Sequence, residues 1–265
     1  MTTGDLLVVQ RVAFAEISRF WGDAVTVIVA LLVLFITVPA VACTRTVEFA
    51  GARYEVCVAD YNHYSVRTFW KNDEGKPYQS LSNLWGHLKS QSLNPVFLTN
   101  AGIYMDDLTP LGLYVENGKT LRPLNTAKGL FGNFYMQPNG VFITDNKGIG
   151  SVVETTRLAH WQRNIRYATQ SGPMLLINGT INPKFKKDSP HRLIRSGIGA
   201  TANEIIIVKS IGTVSFYDIA RLFREKFGVL NALYLDGNIS DTMTVDHGAS
   251  AFAISYGAMI AVIQK

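Results

Sequence analysis

Four segments of the sequence share a pattern that is typical of ligand-binding loops: a run of apolar residues stops at a short patch of glycine and small polar residues. Glycine lets the backbone approach a ligand closely and lets N–H groups point outward as donors to an anion. Asparagine, glutamine and serine add neutral groups that hydrogen-bond to sugar hydroxyls or phosphate oxygens. The four segments are Thr99-Asn100-Ala101-Gly102, Gln170-Ser171-Gly172-Pro173, Arg195-Ser196-Gly197-Ile198-Gly199 and Asp236-Gly237-Asn238-Ile239-Ser240.

Two of these segments also carry a charge. Arg195 is their one cation, and its planar guanidinium matches the geometry of a phosphate. Asp236 is their one carboxylate and ends the apolar run "ALYL", although a buried carboxylate is costly unless it is paired or hydrated. Each segment taken singly is also explained as a turn, since Asp-Gly and Asn-x-Gly patterns are common after strands. Together they would form a site for a phosphorylated polar ligand, provided that the fold brings them together.

A hydrolytic site needs a second acid if the leaving alkoxide is protonated. Asp106, Asp107 and His191 are the candidates, and His191 is also explained as part of a polar loop because it follows a lysine-rich stretch. The other histidines are scattered without the spacing of a zinc site. The sequence requires no cofactor. It leaves open a calcium or magnesium ion held by Asp236 and backbone carbonyls, and it assigns no set of metal ligands.

The composition indicates one sizeable folded domain. The chain has 265 residues, of which 48% are hydrophobic, enough for a substantial core. Its formal net charge is +5, without a dense block of lysine or arginine. This balance favours an anionic substrate and argues against nucleic-acid binding.

An uncharged apolar stretch near the N-terminus indicates targeting or anchoring. Residues 24–44 contain no charge and are long enough to cross a bilayer as a helix. The stretch is consistent with a cleaved signal, an uncleaved anchor or a lipoprotein signal with Cys43 as the lipidated residue. We therefore expect a leader over 1–23, a signal or anchor over 24–44 and a globular domain over 45–265. That domain would lie outside the cytoplasm, anchored in the inner membrane, periplasmic or secreted.

The chain has two cysteines, Cys43 and Cys57. A disulfide between them would need export and retention of Cys43, and lipidation or cleavage would remove that option.

The remaining pattern predicts an α+β domain: a mixed, largely antiparallel sheet packed with a few helices and preceded by one hydrophobic helix. "RYEVCVADY" and "YSVRTFW" alternate as two strands joined by a short turn. Hairpins are expected at Asn117-Gly118 and Asn178-Gly179. A helix with Ser215 as its N-cap, Asp218 at N3 and Gly228 at its end separates two strands, which predicts one crossover in the sheet.

Five motifs give the sequence a specific resemblance. It is similar to the phosphodiester glycosidase family, which includes the lysosomal uncovering enzyme, and most of all to that family's uncharacterised bacterial exported branch. The likeness runs from about residue 54 to 263. The motifs, in the family's order, are "NAGIYMDDLTPLGLYVENG", "GNFYMQPNGVF", "ATQSGPMLLINGTI", "IRSGIG" and "NALYLDGNIS".

The resemblance implies a hydrolase that cleaves a sugar-1-phosphodiester in an exported or lumenal compartment. Asp236 would activate water, or else fix a sugar hydroxyl or a divalent cation. Arg195 and the backbone N–H groups of Ser171-Gly172 would offset charge on the phosphodiester oxygens. Two departures leave the substrate open: Gly237-Asn238-Ile239-Ser240 replaces a glycine-rich run, and Ser196 replaces an asparagine. Asp236 and Arg195 are thus the catalytic candidates, and the substrate-binding candidates are Asn100, Gly102, Gln170, Ser171, Gly172, Gly237 and Ser240.

A non-catalytic function is the alternative. A periplasmic protein that binds envelope glycopolymer or a phosphorylated sugar would need many of the same donors without turnover, and a membrane-anchored scaffold with a relic pocket would need neither. The expected partners are a phosphorylated sugar or envelope glycan, and the membrane through residues 24–44 if that stretch is uncut.

Overall fold

The computed structural model describes residues 43–161, 164–237, 239–248 and 255–265. The expected leader and nearly all of the hydrophobic segment lie outside these residues. Within the described ranges, no helix has both the length and the apolar character needed to span a membrane. The described residues belong to one compact unit.

Most of this unit is β-structure, because short apolar or alternating runs end at turn residues. The strands are Thr44–Phe49 (β1), Ala52–Asp60 (β2), Tyr64–Phe69 (β3), Asn94–Asn100 (β4), Tyr114–Glu116 (β5), Lys119–Arg122 (β6), Gly140–Asp145 (β7), Gly150–Glu154 (β8), Ile165–Ser171 (β9), Met174–Ile177 (β10), Thr180–Ile181 (β11), Ser196–Ala200 (β12), Glu204–Ser210 (β13), Ala232–Tyr234 (β14), Thr242–Thr244 (β15) and Met259–Gln264 (β16). The helices are Leu81–Ser90 (α1) and Phe216–Arg221 (α2), with a π-helical turn over Leu222–Lys226 and 3-10 turns over Asn133–Tyr135 and Thr155–His160.

The strands form three sheets, ordered β1-β2-β13-β12-β14-β10-β11, β15-β4-β16-β3 and β6-β5-β9-β7-β8. The largely antiparallel character with few helices is confirmed. The expected mixed sheet is wrong, because every pairing between these strands in the described residues is antiparallel. The crossover through α2 does occur, but β12 lies between β13 and β14 and pairs with both. The two strands that α2 connects therefore never meet as a parallel pair.

Local signals in the sequence determine two hairpin turns and the N-terminal cap of α2. Asn117-Gly118 and Asn178-Gly179 have the positive φ angles of tight hairpin turns, 53° and 80° in the first and 49° and 79° in the second. Ser215 accepts a hydrogen bond from the backbone of Asp218, whose side chain accepts one from the backbone of Ser215. This capping box starts α2 as expected.

The central core lies where the three sheets meet. Ile198 comes from the seven-stranded sheet, Phe97 and Ile260 from the four-stranded sheet, and Phe142 from the five-stranded sheet. On its other face, the seven-stranded sheet packs against α2 and the π-helical turn that follows it. This packing brings the ends of β4, β9 and β14 and the start of β12 together.

Cys43 and Cys57 form a disulfide that ties the start of β1 to β2. A sulfur in a disulfide cannot carry a lipid, so Cys43 in this state is not the lipidated residue of a lipoprotein.

Candidate functional site

The start of β12 and the end of β14 place Arg195 and Asp236 at one edge of the seven-stranded sheet. The backbone of Ser196 bonds to both residues at the end of β14: its carbonyl accepts from Leu235 N at 3.1 Å, and its N–H donates to the carbonyl of Asp236 at 3.0 Å. Arg195 and Asp236 therefore lie next to each other at the point where the pairing of β12 with β14 ends. The two segments are thus adjacent, although the guanidinium and the carboxylate form no ion pair.

Arg195 is a buried cation with an unused donor. Its side chain packs 3.6 Å from the ring centroid of Phe216, and the residue is 2% exposed. Nε donates to the carbonyl of Val214 at 3.0 Å, and Nη2 donates to that of His191 at 3.2 Å. Nη1 is buried and makes no hydrogen bond of good geometry, although the Tyr234 hydroxyl lies close enough to the guanidinium for each group to shift the pKa of the other. Burial lowers the pKa of Arg195, whereas the neighbouring Tyr234 raises it. A guanidinium stays charged in proteins, so an anion placed against it would be stabilised.

A cavity of about 670 Å³ opens beside this guanidinium. Its charged lining is basic, with Lys184 and Lys186 near Arg195, and no acidic residue of the described chain lines it. His191 also lines it. Asn133 adds an amide to the wall. The volume suits a ligand of a few sugar-sized groups, and the charge favours an anion. The two lysines lie in the lysine-rich stretch before His191, and Asn133 lies in the motif "GNFYMQPNGVF", but no periodicity marks these three residues as parts of a site.

Aromatic rings form another part of the cavity wall. Phe185 and Phe216 stack with centroids 4.9 Å apart and an interplanar angle of 13°, and both line the cavity with Tyr217. Aromatic faces of this kind pack against apolar faces of a ligand. Another surface cavity, of about 490 Å³, lies away from Arg195 and has no buried unpaired charge among its described lining residues.

Asp236 is a half-buried carboxylate without a cation. Its Oδ1 accepts a hydrogen bond from Gly237 N at 2.7 Å. Burial raises the pKa of Asp236 to about 6, although the Gly237 hydrogen bond lowers it. The phenols of Tyr104 and Tyr256 lie close enough for Asp236 to raise their pKa values. A carboxylate with this pKa is ionised at neutral pH and still accepts a proton readily. Asp236 does not line the 670 Å³ cavity.

Tyr234 links the two charged groups. A β-carbon on Gly237 would lie 2.7 Å from the Tyr234 hydroxyl, so only glycine fits beside it. The ring centroid of Tyr234 is 5.7 Å from Arg195 Cζ. Burial raises the pKa of Tyr234 strongly; Asp236 raises it further, whereas Arg195 and Asn133 lower it. Tyr234 precedes Asp236 by two residues, a spacing that could have identified it in the sequence.

Ser171 and Ser240 hold the backbone on either side of Asp236. The Ser171 hydroxyl donates to the carbonyl of Leu235 at 2.9 Å. Ser240 Oγ lies 2.8 Å from Ser196 Oγ, which accepts from Asp236 N at 3.3 Å. The two predicted substrate-binding serines are thus brought to the site, with their hydroxyls bonded to the protein.

Gln170 has a structural role that the sequence did not indicate. Its Oε1 accepts from Leu113 N at 2.8 Å and from Asn125 N at 2.9 Å. Its Nε2 donates to the carbonyl of Asn125 at 2.7 Å and to Thr155 Oγ1 at 3.2 Å. These four bonds use the full capacity of a side-chain amide. Gln170 therefore fixes the 113–125 segment and has no group left for a ligand.

Asn100, Gly102 and Gly172 lie at the same junction of strands but not in the cavity wall. Asn100 is buried, and its Oδ1 accepts from the Thr99 hydroxyl at 3.2 Å. Gly102 N donates to Thr169 Oγ1 at 3.1 Å, which joins β4 to β9. A β-carbon on Gly172 would come within 2.7 Å of Asn139 Cβ. Close packing explains these glycines, and direct ligand contact by the three residues stays a prediction.

Of the three acid candidates, His191 is the one that lines the cavity. Asp106 and Asp107 are exposed on a turn, and hydrogen bonds from Thr109 lower the pKa of Asp107. That carboxylate is therefore a poor proton donor near neutral pH. In the part of the chain that the structure describes, no three His, Cys, Asp or Glu side chains are grouped to hold a metal. A calcium or magnesium ion at Asp236 stays a prediction.

Comparisons with known proteins agree on one family. The family model for phosphodiester glycosidase matches residues 94–260. The uncharacterized protein YigE of Escherichia coli (strain K12) is 37% identical over 179 residues, which cover 66% of this chain and 68% of that protein.

Two solved structures share the fold at low identity. One is the zebrafish N-acetylglucosamine-1-phosphodiester alpha-N-acetylglucosaminidase catalytic domain, auto-inhibited by its pro-peptide, with a TM-score of 0.55, 12% identity and coverage of 84% of this chain and 82% of that chain. The other is a hypothetical protein from Synechocystis, with a TM-score of 0.50, 15% identity and coverage of 84% and 61%. Family membership supports a hydrolase-like function in general. The chain described here belongs to the phosphodiester glycosidase family.

Proposed function

We propose that this protein hydrolyses a sugar-1-phosphodiester, with Arg195 binding the phosphate and Asp236 activating water. The observation that carries the proposal is the buried Arg195, whose Nη1 lacks a hydrogen-bond acceptor and which lines a basic cavity. Asp236 lies beside this cavity at the same edge of the sheet, outside its lining. A buried cation without a counterion is unfavourable in the empty protein. A phosphate that binds there supplies the missing charge and hydrogen-bond acceptor.

The cavity lining supports binding of a monoanionic phosphodiester. Arg195 Nη1 would donate to one phosphate oxygen, and Lys184 and Lys186 would add positive charge at the wall. Asn133 offers an amide for a sugar hydroxyl or a phosphate oxygen. Phe185, whose ring stacks on Phe216 by one face, would pack its other face against the apolar face of a sugar.

The chemical step transfers the sugar to water. Water attacks the anomeric carbon, the bond from that carbon to the phosphate oxygen breaks, and the electron pair leaves with the phosphomonoester. Asp236 accepts the proton from water, and the proton finally resides on the phosphomonoester or in solvent. A phosphomonoester is a weak base, with a second pKa of about 6, so stabilising its charge matters more than protonating it. Arg195 supplies that stabilisation, and His191 is the acid in the cavity wall when protonation is needed.

We extend the proposal to the compartment and partners of the protein. The Cys43–Cys57 disulfide supports an exported, oxidising location, in agreement with the uncharged stretch at 24–44. The partner would be a phosphorylated sugar or an envelope glycan, and the membrane if that stretch is uncut. Mass spectrometry of the mature N-terminus tests the last point: a mature chain that starts after residue 44 would contradict the disulfide and the anchor together.

A substrate screen in isotopically labelled water tests the activity. The full chain is incubated with a panel of sugar-1-phosphodiesters, with and without calcium or magnesium, and released sugar is measured. The proposal predicts turnover with ¹⁸O from water in the sugar product. Label in the phosphate would show attack at phosphorus instead. Binding without turnover across the panel would favour the alternative, a binding protein for envelope glycan.

A further inference from the structure

A loop with two exposed apolar side chains adjoins the cavity that contains Arg195. Phe131 is fully exposed, at 101%, and Leu130 is 56% exposed. Two and five residues after Phe131, the same segment supplies Asn133 and Met136 to the cavity lining. The apolar pair is therefore close along the chain to the wall of the proposed phosphate site.

The loop is held so that its apolar side chains face water. Gly129 and Gly132 bracket the pair with φ angles of 75° and 101°, and the 3-10 turn that follows buries Phe134 at 1% exposure. A buried phenylalanine directly after the loop anchors it, so the exposure of Phe131 is not a consequence of a missing core. Adjacent large apolar side chains that are left in water commonly mark a binding surface.

Apolar side chains also line part of the cavity. Leu193, 38% exposed, and Met136 line it together with the rings of Phe216 and Tyr217. The cavity thus combines a buried cation with an apolar side. A ligand that matches both has an anionic phosphate joined to an apolar group.

We propose that the phosphodiester taken by this site carries an apolar alcohol, such as an alkyl or isoprenoid chain, on the side of the phosphate away from the sugar. Leu130, Phe131 and Leu193 contact that chain while Arg195 binds the phosphate. The inference rests on the proposed function. The uncharged stretch 24–44 agrees with it, because β1 begins at Thr44 and an uncut anchor would keep the domain close to lipids.

A matched pair of ligands tests the proposal by binding rather than by turnover. The two are N-acetylglucosamine-1-phosphate esters of glycerol and of n-hexanol, the latter short enough to stay monomeric in water. Calorimetry measures both affinities on the full-length Asp236→Asn variant in lipid nanodiscs, with empty nanodiscs as the blank. We expect the hexyl ester to bind at least about tenfold more tightly, as a few additional buried methylene groups provide.

A double variant of the loop assigns this preference to its residues. Adding Leu130→Ser and Phe131→Ser should reduce the ratio of hexyl to glyceryl affinity to within about threefold of one. The matched control is Leu230→Ser, which removes an exposed leucine (64%) away from this cavity and should keep the full ratio. Equal affinities for the two esters, or a preference that survives in the loop variant, would overturn the inference.

Turnover by the wild type separates this inference from the proposed function. If neither ester is hydrolysed but the loop-dependent preference is measured, the hydrolase proposal fails and the apolar subsite stands. If both are hydrolysed and bound with equal affinity, the hydrolase proposal stands and the subsite is wrong.

Discussion

Two charged side chains, Arg195 and Asp236, lie in partly or fully buried positions without an opposite charge beside them. Both carry a desolvation cost in the unliganded protein, which is visible in the lowered pKa of Arg195 and the raised pKa of Asp236. Proteins retain such groups where a ligand or a reaction uses them. At the residue scale, the candidate site is therefore marked by two buried charges that have no opposite charge beside them.

Replacing Asp236 should stabilise the fold at alkaline pH. Its pKa in the folded state is about 6, above that of an unfolded chain, so the fold favours the protonated carboxyl. That contribution is present below about pH 4 and is lost as the pH rises through about 6. At pH 8 we expect Asp236→Asn to increase the free energy of unfolding by up to about 3 kcal/mol, with little change at pH 4.

Urea unfolding at the two pH values measures this effect. Asp106→Asn, at an exposed position, is the control and should stay within about 0.5 kcal/mol of wild type. Equal stabilities of Asp236→Asn and wild type at pH 8 would show that the carboxylate is well solvated.

Arg195→Lys should impair catalysis although the charge is kept. Lysine cannot reproduce the Nε and Nη2 bonds to Val214 and His191 while presenting a further donor to the phosphate. We expect kcat/KM to fall about a hundredfold, the effect of losing one preorganised donor. The control is Arg192→Lys, whose exposed guanidinium pairs with Asp218. Similar losses of kcat/KM in both variants would refute a specific role for the guanidinium of Arg195.

At the scale of elements, the ends of strands do the positioning. β12 and β14 position Arg195 and Asp236. The Ser171 hydroxyl connects β9 to the backbone beside Asp236 through a hydrogen bond. Helix α2 closes the other face and supplies Phe216 under the guanidinium. The side chains that we propose contact a ligand are thus separate from those that hold the strand ends together.

Gln170→Ala tests the positioning role at this scale. The change leaves the buried N–H of Leu113 and the partly buried N–H of Asn125 without an acceptor, so we expect a loss of about 3 kcal/mol in the free energy of unfolding. Gln91→Ala, an exposed glutamine at the end of α1, should change it by less than about 0.5 kcal/mol. A Gln170→Ala variant with full stability and weakened ligand binding would restore the predicted direct contact.

Local elements could be predicted from the sequence because their signals are local. The two Asn-Gly hairpins and the capping box of α2 each depend on a few adjacent residues. The division into three sheets could not be predicted, because β2 and β3 are adjacent in the chain yet pair with β13 and β16. Asp236 and Arg195 were identifiable as charges at strand ends next to glycine, whereas Lys184 and Lys186 enter the cavity from a loop without a pattern.

At the scale of the whole molecule, three sheets share one core, and the disulfide holds the first strand to it. β1 is an edge strand of the seven-stranded sheet, so the Cys43–Cys57 bond fastens the end of the domain nearest the uncharged stretch. The bond therefore ties this edge strand to β2 covalently.

Loss of the disulfide should lower stability without changing the site. The cysteines are 14 residues apart, for which chain entropy predicts a contribution of about 3 kcal/mol. The Cys43→Ala/Cys57→Ala variant should therefore unfold at lower urea concentration than oxidised wild type and should not respond to reductant. Wild type that is equally stable with and without reductant would show that the bond does not stabilise the domain.

The pH dependence of kcat/KM for a sugar-1-phosphodiester, compared between wild type and Asp236→Asn, tests the central claim most directly. The wild-type value should rise with pH through about 6, as Asp236 ionises. The variant should lose at least about a hundredfold in kcat while its ligand affinity stays within about tenfold. A variant that retains wild-type turnover, or a wild-type profile that falls through this range, would contradict Asp236 as the base.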